Sequence, residues 1–249
     1  ESKLWHVNGI WFADMFDVVS DSWHIFRLDR ASEQWIDTGV QIDDRPDTLA
    51  DTLWDGNHLY VASHVVSVSS ETVTSVSLPN SPARFYRYSY DSINQTFVLD
   101  AGFPTAIHDY SSESLTIDKD STGVMWATWT QVSGSSATGY VNQVYVNSTT
   151  GANGAWSTPF VLPVAGANAA PDDISAIVAF GANKMAVVWS NHFDDTVYWA
   201  VRSDGIDRTA WLGGVASSGT WFADDHINLK SLQGDAFGRV YAVVKTSLD

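Results

Sequence analysis

The sequence predicts an all-β fold, a β-propeller of four-stranded antiparallel blades with about four and a half blades present in an incomplete ring. Three observations predict it. A two-strand unit recurs along the chain, the strands alternate polar and apolar residues, and no segment carries a sustained helical period with caps.

The unit opens as Leu4 to Ala13 around Asn8-Gly9 and returns as Leu53 to Ala62 around Asp55-Gly56. It recurs as Ile117 to Trp129 around Gly123, as Ile174 to Trp189 around Gly181, and as Asn228 to Val244 around Gly238. Asn-Gly and Asp-Gly accept the positive φ that tight hairpin turns require. Between copies lies a second hairpin that ends near Trp35, Phe97, Trp156 or Trp211. Phe85 to Tyr90 and Thr196 to Arg202 alternate in the manner of half-buried strands.

A period of roughly 55 to 65 residues marks units that bury their faces only against their neighbours. The modules run over 3–42, 47–108, 112–163 and 172–216, with a partial fifth over 225–249, in a single domain. Because the fifth lacks an outer hairpin, it is expected to present an unpaired edge, and the natural chain is expected to be longer, with further domains of its own as partners. Ser67 to Pro82 reads as a long loop, Gly134 to Gly139 as a shorter one, and Gly166 to Pro171 as a connection between modules.

Composition narrows the function. A formal charge of −16 with only 13 Lys and Arg disfavours nucleic acid and anionic membranes, since phosphate binding needs clustered basic residues. No apolar run is long enough to span a bilayer. The absence of cysteine removes disulfides, thiolate nucleophiles and cysteine-bound metals together. An acidic, Trp-rich, cysteine-free chain of this kind points to a bacterial protein that is secreted or held at the cell surface.

Superposing the modules places acids at the start of each inner strand: Asp47 and Asp51, Glu113, Asp172 and Asp173, Asp224 and Asp225. Inner strands line the channel of a propeller, so Asp51, Glu113, Asp173 and Asp225 are expected to gather at one mouth as candidate catalytic carboxylates, their pKa values raised by one another. The alternative is that each accepts a hydrogen bond from a neighbouring backbone amide, blade after blade. At the opposite ends of the hairpins, His64, Trp129, Trp189, Asn191 and Lys245 suit a sugar, with rings for stacking and amides for hydroxyls; for the Trp residues, core packing is the alternative. Arg45, His226, Lys230 and Lys245 lie on or beside inner hairpins, placed either to meet an anionic group or to neutralise the acids.

No metal site is expected from the histidines, whose spacing matches no ligand pattern. Asp118 to Gly123 resembles the opening of an EF-hand loop, but Trp129 stands where the bidentate Glu belongs, which makes it a strand turn. No cofactor is implied beyond weak Ca²⁺ binding by this loop or by Asp224 and Asp225.

Asp118 through Gly123 to Trp126, and Asp235 through Gly238 to Tyr241, resemble degenerate Asp-box turns. On these turns and its repeats the whole chain resembles the sialidase-like β-propellers of large secreted bacterial proteins. That resemblance implies an arginine triad, a Tyr and Glu nucleophile pair and an Asp acid/base. Arg45 alone is placed on an inner hairpin, whereas Arg27, Arg84, Arg87 and Arg202 lie on outer ones, so fold carries over and sialidase chemistry does not. The expected function is a module binding glycan or another extracellular ligand at the channel mouth. The alternatives are a glycan-active hydrolase or lyase using the inner-strand acids, and a structural or protein-interaction domain.

Overall fold

The computed structural model describes residues 1–67, 74–151, 154–231 and 237–247, without the side chains of Lys230 and Ser231. Those residues form twenty strands and no helix, in five antiparallel sheets that follow one another along the chain. The first sheet is β1 (Leu4–Val7), β2 (Ile10–Asp17), β3 (Ser22–Asp29) and β4 (Gln34–Asp43) in sequence order. The second is β5 (Thr48–Trp54), β6 (His58–Val65), β7 (Pro79–Asp91) and β8 (Thr96–Leu99), with β9 (Thr105–Tyr110) also on β7. In the third, β10 (Leu115–Lys119), β11 (Met125–Ser135), β12 (Gly139–Ser148) and β13 (Phe160–Val161) are joined by β14 (Asn168–Ala169), which pairs with β12. The fourth is β15 (Ser175–Phe180), β16 (Lys184–Asn191), β17 (Thr196–Ser203) and β18 (Leu212–Ser218), and the fifth pairs only β19 (Ile227–Ser231) with β20 (Val240–Val244).

This is the predicted β-propeller, in which each of the first four sheets carries two successive hairpins and the fifth carries one. The expected loop over 67–82 is shorter at its end, because β7 already begins at Pro79 and pairs there with Tyr110 of β9. The turn glycines Gly9, Gly56 and Gly123 all have positive φ, as their places in the hairpins require.

Alternation lets the second, third and fourth sheets bury side chains on both faces. Leu59 and Val61 of β6 face the first sheet, against Trp5, Val7 and Phe12, while Tyr60 faces the third, against Ile117 and Met125. Likewise Met185 and Val187 pack on Trp126 and Val146, and Ala186 and Val188 pack towards Ile227 and Leu229. Each fully buried aliphatic side chain contributes roughly 1.5–3 kcal/mol, which is how sheets without a common centre hold together as layers.

The first strand of each sheet is the innermost. β5, β10, β15 and β19 enclose a channel of about 210 Å³ into which Glu1 and Ser2 also reach. Side chains tie one inner strand to the next: the Ile117 amide donates to Asp51 Oδ2 (2.8 Å), that of Ile177 to Thr116 Oγ1 (3.0 Å), and that of Ala179 to Asp118 Oδ2 (2.7 Å).

Candidate functional site

The channel mouth at the starts of the inner strands carries the candidate site. Antiparallel pairing sets the start of each inner strand beside the end of its partner: Leu49 opposite His64, Leu115 opposite Trp129, Ser175 opposite Trp189, and Ile227 opposite Val244. The two residue sets placed by sequence at opposite ends of the hairpins therefore share one end. A cavity of about 300 Å³ opens there, lined by Glu1, Leu49, Val66, Glu113, Ser114, Asp172, Ile174, Asp225 and His226. Glu1 also lines the channel below, so this residue borders both spaces.

Of the four candidate catalytic acids, Glu113 and Asp225 line the mouth. Asp51 and Asp173 do not, and both satisfy backbone instead. Asp51 accepts the amides of Ile117 and Ser2, and burial raises its pKa. Asp173 accepts the amides of Ala170 (2.7 Å) and His192 (3.0 Å), with the His192 ring 2.9 Å away. Burial raises its pKa against the pull of His192. Asp172, next to it, is the one of the pair that reaches the cavity.

Glu1 is the acid that the repeat comparison missed. It precedes β1 much as Glu113 precedes β10 and Asp225 precedes β19, an offset visible in the sequence once the strand starts are known. Its Oε1 lies 2.7 Å from Nε2 of His64 and accepts the Leu115 amide at 3.2 Å. Burial works to raise its pKa, but the hydrogen bond and charge of His64, with the charges of the N-terminal amine and of Lys3 at 3.9 Å, outweigh it and hold Glu1 below the usual range. The other ring nitrogen of His64 faces Ser112, 3.1 Å from its carbonyl and 3.0 Å from its hydroxyl. His64 is fully buried, so it positions Glu1 and has no surface for a ligand.

Trp129 and Trp189 are also fully buried, a correction to their expected place at the mouth. The register turns both rings between sheets: Trp129 stacks on His108 at 4.0 Å, and Trp189 stacks on Tyr198 while donating from Nε1 to the Gly166 carbonyl. Arg45 is occupied as well, its guanidinium forked on Asp43 (2.9 and 2.7 Å) and donating to the Pro82 carbonyl. Asp43 further accepts from Ser63 and Arg84, which closes a charged joint between the first two sheets. Asn191 caps the β16 turn, donating to Asn168 O and Asp194.

His226 and Lys245 do stand beside the mouth, His226 Nδ1 at 2.6 Å and Lys245 Nζ at 2.8 Å from Asp225 Oδ1. Lys245 also lies 3.2 Å from Asp224, whose pKa partial burial would raise but which bonds from Asp225, Ser247 and Lys245 keep low. The Lys230 side chain and Asp235 fall outside the described residues. Two groups among the described residues bring metal-ligating atoms within 4.8 Å of one another, Asp17 with His24 and Asp37, and Asp172 with Asp173 and His192. In the 118–123 loop, Asp120 Oδ1 is taken up by Thr122 and Val124, and Oδ2 by the Trp126 indole. Among the described residues no helix is long and apolar enough to cross a membrane.

No family model matches the sequence, and no curated protein is similar to it. Similar solved structures include a protein of unknown function from Dyadobacter fermentans, at 12% identity over 81% of this chain and 63% of that one, with a TM-score of 0.52. This chain thus spans just under two thirds of that protein's length. Others are α-L-arabinofuranosidases, from Fusarium graminearum (10% identity, 95% of this chain and 71% of that one, TM-score 0.49) and from Lactobacillus brevis (12%, 99% and 84%, 0.47). Likeness at these identities concerns the fold alone, and what the mouth does has to come from its own side chains.

Proposed function

We propose that this protein is a β-propeller recognition module that binds a glycan at the channel mouth, in a secreted or surface setting. The observation that carries the reading is convergence: four sheets each send one acid, Glu1, Glu113, Asp172 and Asp225, to a cavity of about 300 Å³. Carboxylate oxygens accept hydrogen bonds from sugar hydroxyls, and Leu49, Val66 and Ile174 between them offer apolar wall to the C–H face of a ring. The size suits a short saccharide. The Asp120 turn supports setting the chain beside the sialidase-like propellers as a matter of scaffold.

Recognition is set ahead of hydrolysis because the carboxyls that burial raises do not line the mouth cavity. A general acid needs a raised carboxyl in reach of the glycosidic oxygen. Asp14, Asp51 and Asp173 are raised but buried away from the mouth cavity, and Glu1, which lines it, is lowered. Titration calorimetry against an oligosaccharide panel, with reducing-end release followed in parallel, tests this. Saturable binding without turnover is expected, weakened at least about tenfold by Glu113→Gln with Asp225→Asn. Turnover lost in the same variant would establish the enzyme instead, and a panel without any binding would leave an interaction or structural domain.

A further inference from the structure

With Trp129 and Trp189 in the core, the inner hairpins bring no indole to the mouth. A different tryptophan stands at its rim. Of the twelve in the chain only Trp11 and Trp221 are exposed, and Trp11 lies beside the Asn8-Gly9 turn, at the far end of the first sheet. Pairing sets Asn191 opposite Thr196 and Thr196 opposite Ser218, so the end of β16, the start of β17 and the end of β18 lie together. The segment 219–222 therefore leaves the fourth sheet at the mouth end, and Trp221 with it.

Two unfavourable features meet in this residue. Trp221 is 58% exposed, so a large apolar ring is held in water, and its φ is +67°, a conformation that bulky side chains rarely adopt. The backbone is nonetheless fixed from both sides. The Trp221 amide donates to Asp195 Oδ1 (3.0 Å), the Gly219 amide donates to the Asp195 carbonyl (3.3 Å), and the Trp221 carbonyl accepts from the Ser247 amide (3.0 Å). Ser247 also donates from Oγ to Asp224 (2.9 Å), the neighbour of Asp225 at the mouth. Strain of this kind persists only where the surroundings over-determine it, and packing offsets little of it at a ring so exposed. Phe193, on the turn that carries Asp195, is 72% exposed, with its ring 4.9 Å from that of His192, whose Nδ1 lies 3.5 Å from the mouth acid Asp172.

The surface around the indole decides what it takes. Phe222, next in the chain, is folded back onto Gly219, and the exposed residues Ser218, Thr220 and Asp194 are polar, so the ring is set among hydroxyl and carboxylate groups and not in a broad apolar patch. A pyranose ring has the matching character, an apolar C–H face edged by hydroxyls. We infer that Trp221 is the stacking platform for one pyranose ring of the glycan, at a subsite on the rim outside the mouth cavity; this rests on the recognition reading above. A saccharide has to extend past the cavity to reach it, so affinity grows with length until the indole is covered.

Titration calorimetry on the full chain, against dimers and hexamers of β-1,4-linked glucose, xylose, mannose and N-acetylglucosamine, tests the subsite. In a series that binds, the hexamer is expected to be at least about tenfold tighter than the dimer and to shield Trp221 from acrylamide quenching. Trp221→Gly removes the ring and relaxes the backbone. It should weaken the hexamer about tenfold, leave the dimer within about twofold, and leave the urea midpoint no lower than in the parent protein. Trp221→Phe keeps a ring and should hold the hexamer within about threefold. Hexamer binding by Trp221→Gly at parent strength would overturn the subsite and leave the recognition reading standing. A lowered midpoint in Trp221→Gly, with hexamer and dimer weakened alike, would overturn it by making the indole a structural part of the turn. Shielding of Trp221 that rises with protein concentration in the absence of sugar would overturn it in favour of a second copy of the chain. Binding of none of the sugars would remove the recognition reading and the subsite together.

Discussion

Asp14 is a carboxyl that the fold leaves dry. It sits on β2 with 3% exposure, and neither oxygen has a hydrogen-bond partner. Burial pushes its pKa up to about 7; Lys3 opposes the rise, and Glu1 and Asp43 reinforce it. In the unfolded chain it titrates near 4, so between about pH 4 and pH 7 the folded state holds a proton that the unfolded state has released. Its contribution is therefore present in full below pH 4, declines as pH rises to 7, and stays lost above. Asp14→Asn should remove that decline, on the order of 2–4 kcal/mol of pH-dependent stability, in urea denaturation followed from pH 4 to pH 8. Parallel curves for the two proteins would refute the assignment. At this scale the sequence was only half legible. It marked acids before inner strands, and of the four it singled out Glu113 and Asp225 line the mouth while Asp51 and Asp173 do not. It could not give the pleat register, and a one-residue difference in register sends a side chain to the other face of the sheet, which is why Trp129 and Trp189 are core.

The turns show how one residue organises an element. The sequence frames the third-sheet turn on Asp118, yet its bonds converge on Asp120. Oδ1 of Asp120 accepts from the Thr122 amide and hydroxyl and from the Val124 amide, and Oδ2 accepts from the Trp126 indole at 3.0 Å. The Arg202 guanidinium lies over the same indole at 4.2 Å, which links the turn to β17 of the fourth sheet. Asp118 reaches outward instead, to the Ala179 amide of β15. The two acids therefore do separable work, one within a hairpin and one between sheets. Asp120→Ala should cost about 3 kcal/mol, because it strands a buried indole N–H and turn amides that had a charged acceptor. Asp51→Ala should cost about 1–3 kcal/mol by leaving the Ile117 and Ser2 amides without their acceptor. Both losses read out in chemical denaturation, and an unchanged midpoint for Asp120→Ala would show that the turn holds without its acid.

At the scale of the molecule, the repeat was the legible part, because a strand buried on both faces leaves its mark on every residue along it. β6 and β16 are buried through nearly their whole length, and such runs recur at blade spacing. The mouth was less legible because it is assembled from residues before strands, one from each sheet, where no local pattern distinguishes a ligand contact from an amide acceptor. In the fifth sheet β19 and β20 pair with each other, and no third strand among the described residues pairs with β20. Tyr241 (42%) and Val243 (73%) stand exposed on it, while β16 is hydrogen-bonded on both sides, to β15 and β17. A strand held on one side opens at less free energy than one held on two, and backbone amides report that opening directly. Hydrogen exchange should therefore find the Tyr241–Val244 amides exchanging at least about a hundredfold faster than those of Met185–Trp189 in the same protein. Equal protection would mean that another strand covers the outer edge of β20, and the phase of the repeat would have to be drawn again.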